Sequence, residues 1–257
     1  VGRRPSLRPF VVACVGAQLM HLMVVGASRG LGRAFVEGLG RTGDTVIGVS
    51  RRRPDGLRLP EGVPLAWIEA DLAEPLAAAR WIEQQAPAQL DVLLDNLGVW
   101  EANAFSEAYS FLEDPDDSIL EMVAINITGT LMLLRRLIPR LLDSPRPQLI
   151  LTGSTSGLHR SGQPEMTFGA SKFALTVIAD ALRESFRDRQ LAVTCLQLGY
   201  LNTDDGLEMP REAAAGRGEG RQIYLHDVVT MVLALLQLSP ASFVRELVLP
   251  AIGDARF

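Results

Sequence analysis

At 257 residues, 47% of them apolar, the chain can bury one sizeable core and is too hydrophobic for disorder. A net charge of −5 and a pI near 5.3 leave no basic footprint for nucleic acid, so the run Arg51-Arg52-Arg53 needs a local reason. Two cysteines far apart, Cys14 and Cys195, make no disulfide framework, and no Cys/His group has metal-ligand spacing. A reduced, cytoplasmic protein without a metal is the expectation.

Arg3, Arg4 and Arg8 precede the apolar run Phe10–Met20, which superficially resembles a signal peptide with a twin-arginine flavour. His21–Gly26 must supply the first strand, however, leaving no cleavage segment, and a membrane span would consume that strand. Residues 1–19 therefore read as a poorly ordered extension, or as a start read upstream of Met20 or Met23. Residues 20–257 read as one domain.

From residue 20 short apolar runs alternate with amphipathic stretches. Strands are expected at Leu22–Gly26, Thr45–Val49, Leu65–Ile68, Asp91–Leu94, Gln148–Thr152, Leu191–Leu198 and Phe243–Leu249. Helices are expected at Gly30–Gly40, Glu74–Gln85, Asp117–Leu142 (with Pro139 kinking or shortening it), Ser171–Asp188 and Asp227–Leu238. Strands apolar almost throughout, alternating with helices, predict an α/β Rossmann fold: a doubly wound parallel sheet of about seven strands covered on both faces. The glycine-bearing stretch near 202–222 shows little periodicity and reads as a lid.

The first strand runs into Gly26-Ala27-Ser28-Arg29-Gly30-Leu31-Gly32 and at once into a helix. Glycines there allow a tight turn and close approach of a pyrophosphate, which the helix N-terminus attracts. The second strand ends in Ser50-Arg51, with no acidic side chain to accept from a ribose 2′-hydroxyl. Arg51 and Arg29 instead suit a 2′-phosphate, which favours NADP(H) over NAD(H). Asp71 and Leu72 follow the third strand, where the adenine edge is expected.

These residues resemble the short-chain dehydrogenase/reductase family, and later segments extend the resemblance in order over about residues 22–250. Asp95-Asn96-Leu97-Gly98 is similar to the family's N-N-A-G turn, and Asn126-Ile127-Thr128-Gly129 to the segment with the active-site asparagine. Gly153-Ser154-Thr155-Ser156-Gly157 is similar to the catalytic-serine segment, and Phe168-Gly169-Ala170-Ser171-Lys172 overlays Y-x-x-x-K. Leu198-Gly199-Tyr200-Leu201-Asn202-Thr203 follows P-G-x-V-x-T, which adds Gly199, Leu201 and Thr203 to the cofactor set beside Asn96 and Gly98.

The resemblance implies that Ser154 hydrogen-bonds the substrate oxygen, that Lys172 holds the nicotinamide ribose, and that Asn126 orders a water relaying protons to the lysine. Phe168 stands where the family's tyrosine passes a proton, and has none to give; losing a positioned acid costs about 10²–10⁴ in rate. Tyr200 and His159 are the candidates to replace it, Trp100 and Tyr109 the pocket walls, and Met209 a part of the lid. Two activities follow: an NADPH-dependent reductase of a small conjugated enone or carbonyl, or an NADP(H)-binding subunit without turnover. The resemblance also implies a homodimer or homotetramer joined through the two long helices, with Leu131, Leu133, Leu134, Leu137, Phe173 and Val177 either serving that contact or covering the sheet. Gly253-Asp254 is a remnant of the family's C-terminal glycine motif. No nucleic-acid or membrane partner is expected.

Overall fold

A computed structural model describes residues 19–254. Cys14, the arginines at 3, 4 and 8, and the expectation for the N-terminal extension lie outside the described residues, Leu19 excepted. The domain is already tied down at residue 20, where the Met20 N–H donates to the Asp44 carboxylate.

Strand β1 (His21–Val25) leads into helix α1 (Gly30–Gly38), then β2 (Thr45–Ser50) and β3 (Leu65–Glu69). Helix α2 (Pro75–Gln85) precedes β4 (Val92–Asp95), and the helical run α3 (Asp116–Val123) and α4 (Thr130–Leu142) precedes β5 (Gln148–Thr152). Helix α5 (Met166–Ser185), β6 (Ala192–Leu198), β7 (Leu201–Asn202), α6 (Arg211–Arg217), β8 (Ile223–Tyr224), α7 (Leu225–Leu236) and β9 (Glu246–Leu249) complete the chain. Seven strands form one parallel sheet in the order β3-β2-β1-β4-β5-β6-β9. The order reverses between β1 and β4, which opens a crevice at the strands' carboxyl ends.

Because successive strand side chains face opposite ways, β1 feeds two cores. Met23 and Val25 join the layer under α2, α4 and α5, while Leu22 and Val24 join the layer under α1 and α7. The run Asp116–Leu142 is long and apolar enough to cross a membrane by length and composition, yet Leu133, Leu134, Leu137, Ile138 and Leu141 are buried in the first layer.

Four details differ from the sequence reading. The Asp117–Leu142 helix is continuous but carries a π-turn at Ala124–Gly129, a local widening that concentrates at functional sites, and it contains Asn126. Pro139 lies inside α4 without ending it. Helix α5 begins five residues earlier than expected, after Pro164-Glu165, because Phe168 donates its backbone N–H to Glu101, 67 positions away in sequence. The expected lid is not irregular throughout: β7 pairs with β8 and α6 lies between them, held by Arg217 on Asp205 at 2.7 Å.

Candidate active site

The crevice is built from backbone first. After β1 the chain turns at Gly26, φ +77°, where a side chain would meet the Asn96 carbonyl oxygen at 2.6 Å. At Gly32 an added Cβ would lie 2.0 Å from the Gly26 carbonyl oxygen. Two backbones therefore pass at a distance that only glycine permits. Arg29 occupies the N-cap of α1 without a side-chain cap, leaving first-turn N–H groups directed at the crevice, where an anion is best held. Thr203, far along the chain, lies with its Cβ 3.3 Å from where a Gly30 side chain would begin, so it covers the glycine turn. Ser28 is half-buried, and Arg29 and Arg51 are exposed at the same end of the sheet. These residues fit a dinucleotide's pyrophosphate, with two guanidiniums free to meet a further phosphate.

Other residues of the expected cofactor set are held differently. Leu31 and Leu72 are buried members of the two cores, so they shape the floor. Asp71 is exposed, and its carboxylate accepts from the Ala73 N–H in its own turn. Asn96 donates weakly to the Gly26 carbonyl at 3.4 Å, joining the ends of β1 and β4. Gly98 abuts Lys172, with 3.1 Å from its Cβ position to the amine. Gly199 lies against Pro250, and Leu201 pairs with Ile223 at the base of the lid.

Lys172 is the centre of the site. Its buried Nζ donates to the Leu97 carbonyl at 2.8 Å and the Thr152 carbonyl at 2.9 Å, the ends of β4 and β5. Two of its three hydrogens are thereby used and one remains. Burial pushes the ammonium down to about 8, against the attraction of Asp95, while burial raises the Asp95 carboxyl against the Thr130 hydroxyl, the Leu97 N–H and the lysine charge. Between pH 8 and about 10.5 the unfolded chain holds a proton on this lysine that the folded protein has released. Folding should therefore gain stability with rising pH across that window relative to Lys172→Met, a difference that urea titrations of the two proteins at pH 7, 8.5 and 10 measure.

Ser154 begins a short 3₁₀ turn. Its Oγ accepts from Ser156 N–H, and its own N–H is fixed by buried Gln197, which leaves the hydroxyl hydrogen for another acceptor. Asn126 is committed more heavily than the resemblance implies. Its Oδ1 accepts from Val99 N–H at 2.9 Å, and its Nδ2 donates to the Val99 carbonyl and to Ser171 Oγ. In the folded protein this side chain clamps the loop after β4 onto α5.

Phe168 lies one helical turn before Lys172, buried, with its ring centroid 5.8 Å from the amine. Phe105 meets it edge-on at 5.4 Å and Trp100 at 6.4 Å, while Tyr200 reaches Phe105 at 6.3 Å. Tyr200 thus joins the site's aromatic wall, whereas His159 is an exposed loop residue. Tyr109 is pinned: its hydroxyl donates to Asp114 and accepts from Met166 N–H, and burial is the main reason its phenol is pushed up to about 12. Met209 lies in the lid turn bonded to Gly206.

Sequence reasoning missed Glu101 and Glu165. Both are 1% exposed; Glu101 Oε1 accepts from Phe168 N–H at 3.0 Å and Glu165 Oε1 from Phe105 N–H at 2.7 Å. Nothing local distinguishes them from surface glutamates, because their partners come from distant segments.

Fold and crevice together define a Rossmann-type protein with a glycine-lined cradle at the switch point and a buried lysine beside it. Comparison narrows this. The model of the short chain dehydrogenase family matches residues 20–212. The chain is similar to the 3-oxoacyl-acyl-carrier-protein reductase FabG of Pseudomonas aeruginosa, 25% identical over 242 residues and covering 90% of this chain and 95% of that one. It is also similar to the NADPH-dependent pterin aldehyde reductase of Arabidopsis thaliana, 27% identical over 190 residues, 71% of this chain and 75% of that one. Among solved structures, the Pseudomonas aeruginosa RhlG/NADP active-site complex superposes with a TM-score of 0.72 at 22% identity, covering 91% and 96%. The chain belongs to the short chain dehydrogenase family, a family of oxidoreductases.

Proposed function

We propose that this protein is an NADP(H)-dependent reductase that delivers hydride to a small conjugated enone or carbonyl compound, with Phe168 standing where the family's tyrosine supplies its proton. The observation that carries this reading is the pairing of a buried, pinned Lys172 with a hydroxyl-free ring one turn before it, beside a crevice that only glycine backbone can line. The named cofactor of the Arabidopsis relative and the NADP in the RhlG complex support the coenzyme.

Bound in the crevice, the nicotinamide supplies the hydride. The Gly26–Gly32 turn and the α1 N-terminus would hold its pyrophosphate, Arg29 and Arg51 would pair with a 2′-phosphate, and the third Lys172 hydrogen would be available to the ribose. Ser154 donates its free hydroxyl hydrogen to the substrate oxygen, and the Lys172 charge stabilises the negative charge that develops there. An enone suits this set because its enolate needs no immediate proton, and solvent protonates carbon later.

The test is turnover of purified protein with NADPH against matched enones and ketones, with coenzyme binding measured alongside. Enones should outpace ketones, NADPH should bind more tightly than NADH, and Arg51→Glu should erase that preference by about tenfold or more, the worth of one charge-assisted hydrogen bond. Uptake of neither coenzyme would overturn the proposal.

The protein acts as a soluble, cytoplasmic homodimer or homotetramer in this reading. Leu133, Leu134 and Leu137 are buried on the sheet, but Leu131, Phe173 and Val177 are exposed, as are Leu120 and Val123 on the same helical run. That apolar face is what a second copy would cover. Sedimentation should give at least twice the chain mass, reduced to one chain by Phe173→Glu with Val177→Glu; a monomeric parent protein would refute the assembly.

A further inference from the structure

The aromatic wall beyond Phe168 has an electrostatic character that the proposed hydride transfer does not use. Trp100, Phe105 and Tyr200 present partly exposed rings, 53%, 36% and 55% accessible, joined in ring contact through Phe105. Glu101 and Glu165 are buried next to this wall, hydrogen-bonded to its backbone. Each spends one carboxylate oxygen on the backbone N–H of a ring that meets at the centre of the wall, Phe168 and Phe105 respectively. The second oxygen of each is buried with no hydrogen-bond partner.

Helix capping explains half of this arrangement. An acceptor at the start of α5 satisfies a helix N–H and favours negative charge there. It does not explain two buried carboxylates, each with an unspent oxygen, bonded to the backbone of one set of rings; such groups are costly to bury unless positive charge is brought near. Tyr109 registers the local field: after burial and its bond to Asp114, the charges of Glu101 and Asp114 help hold its phenol up. The cation beside the Phe168 ring is Lys172, its charge countered in part by Asp95 and its amine pinned on two carbonyls. Phe168 therefore touches both Lys172, beside which the reducible oxygen would go, and the rings of Phe105 and Trp100, with Glu101 on its own N–H.

Aromatic faces attract cations through their quadrupole, and negative charge in low dielectric behind them strengthens the attraction without direct contact. We propose that the substrate carries a cationic nitrogen, a protonated or quaternary amine, which docks on the Trp100–Phe105–Tyr200 wall backed by Glu101 and Glu165. This rests on the reductase reading above and names its substrate class: an amine-bearing enone or carbonyl with its positive charge several bonds from the group reduced. No co-reactant beyond the coenzyme is added, since the ammonium only binds.

Two measurements test it. In the first, 4-phenylbut-3-en-2-one is compared with its para-trimethylammonium and para-carboxylate derivatives. The cationic compound should exceed the neutral one in kcat/KM by about tenfold, with the anionic one lowest, and Trp100→Leu, Glu101→Gln and Glu165→Gln should each shrink that ratio. A ratio of one or below in the parent protein, or a ratio unmoved by all three substitutions, would overturn the proposal. Because the ratio is internal to each variant, partial loss of folded protein does not distort it.

The second measurement is independent of turnover. Calorimetric titration of the NADPH-loaded protein with tetramethylammonium chloride should show saturable binding that Trp100→Leu, a half-exposed site, weakens and that tert-butanol does not reproduce. Saturable binding without turnover of any enone or ketone would remove the reductase reading and leave the cation site standing. Turnover of neutral enones with no tetramethylammonium binding would do the reverse.

Discussion

Phe168→Tyr should raise ketone reduction by about 10² or more, toward the 10²–10⁴ that a positioned general acid supplies. The new hydroxyl would extend from a ring whose centroid is already 5.8 Å from Lys172 Nζ, and Lys172 lies one turn along the same helix. The lysine's charge would lower the phenol's proton affinity, so the rate should hold level at lower pH and fall as the phenol ionises and can no longer donate. Enone reduction, which makes no demand on that proton, should change far less; the split between the two substrates is the diagnostic readout. Tyr109 offers a contrast within the same protein. Its phenol is also near α5, but burial and acidic neighbours push it up to about 12 and its hydrogen is committed to Asp114, so it is a poor donor. Steady-state kinetics of the parent protein and Phe168→Tyr on matched substrates would decide the matter, and equal ketone rates before and after the substitution would discard the missing-acid account.

Gly32→Ala should cost about 1–3 kcal/mol of stability, the usual penalty of forcing a methyl into a filled site, and should abolish coenzyme uptake. The new Cβ would stand 2.0 Å from the Gly26 carbonyl oxygen and 2.9 Å from Asn96 Nδ2, so the turn must open where the pyrophosphate is expected to lie. A control lies in the lid. Gly216 is inside α6 with no heavy atom within 4 Å of its Cβ position, and Gly216→Ala should stabilise by up to about 1 kcal/mol through helix propensity. Thermal melts with and without NADPH separate the two. Gly32→Ala should melt lower and lose the coenzyme-induced shift; Gly216→Ala should keep it. A Gly32→Ala protein that still gained stability from NADPH would mean that the coenzyme lies elsewhere.

Much of the architecture was legible from residue order because it rests on short-range rules. Runs such as Leu22–Val25 and Gln148–Thr152, apolar throughout and spaced by amphipathic stretches, specify a buried parallel sheet, and glycines between a strand and a helix specify the turn. The boundary at α5 was not legible, because the group that accepts the Phe168 N–H comes from Glu101 in another segment. Nor was the π-turn, which fixes Asn126 on Val99 and Ser171.

The candidate site divides along the same line. The Gly26–Gly32 turn is a candidate from its place between a strand and a helix, and Ser154 and Lys172 are candidates from the family resemblance of their segments. What those spacings left open was each side chain's partner: which carbonyls take the lysine's hydrogens, that Thr203 reaches back over the glycine turn, and that Trp100 and Phe105 meet Phe168 while Tyr200 meets Phe105. Local patterning sets where backbone bends and which face is buried, since those depend on a few neighbouring residues. Contacts between segments tens of residues apart exist only once the sheet has brought its strand ends together. Two glutamates unremarkable in sequence are therefore buried, each with an unpartnered carboxylate oxygen, only on folding.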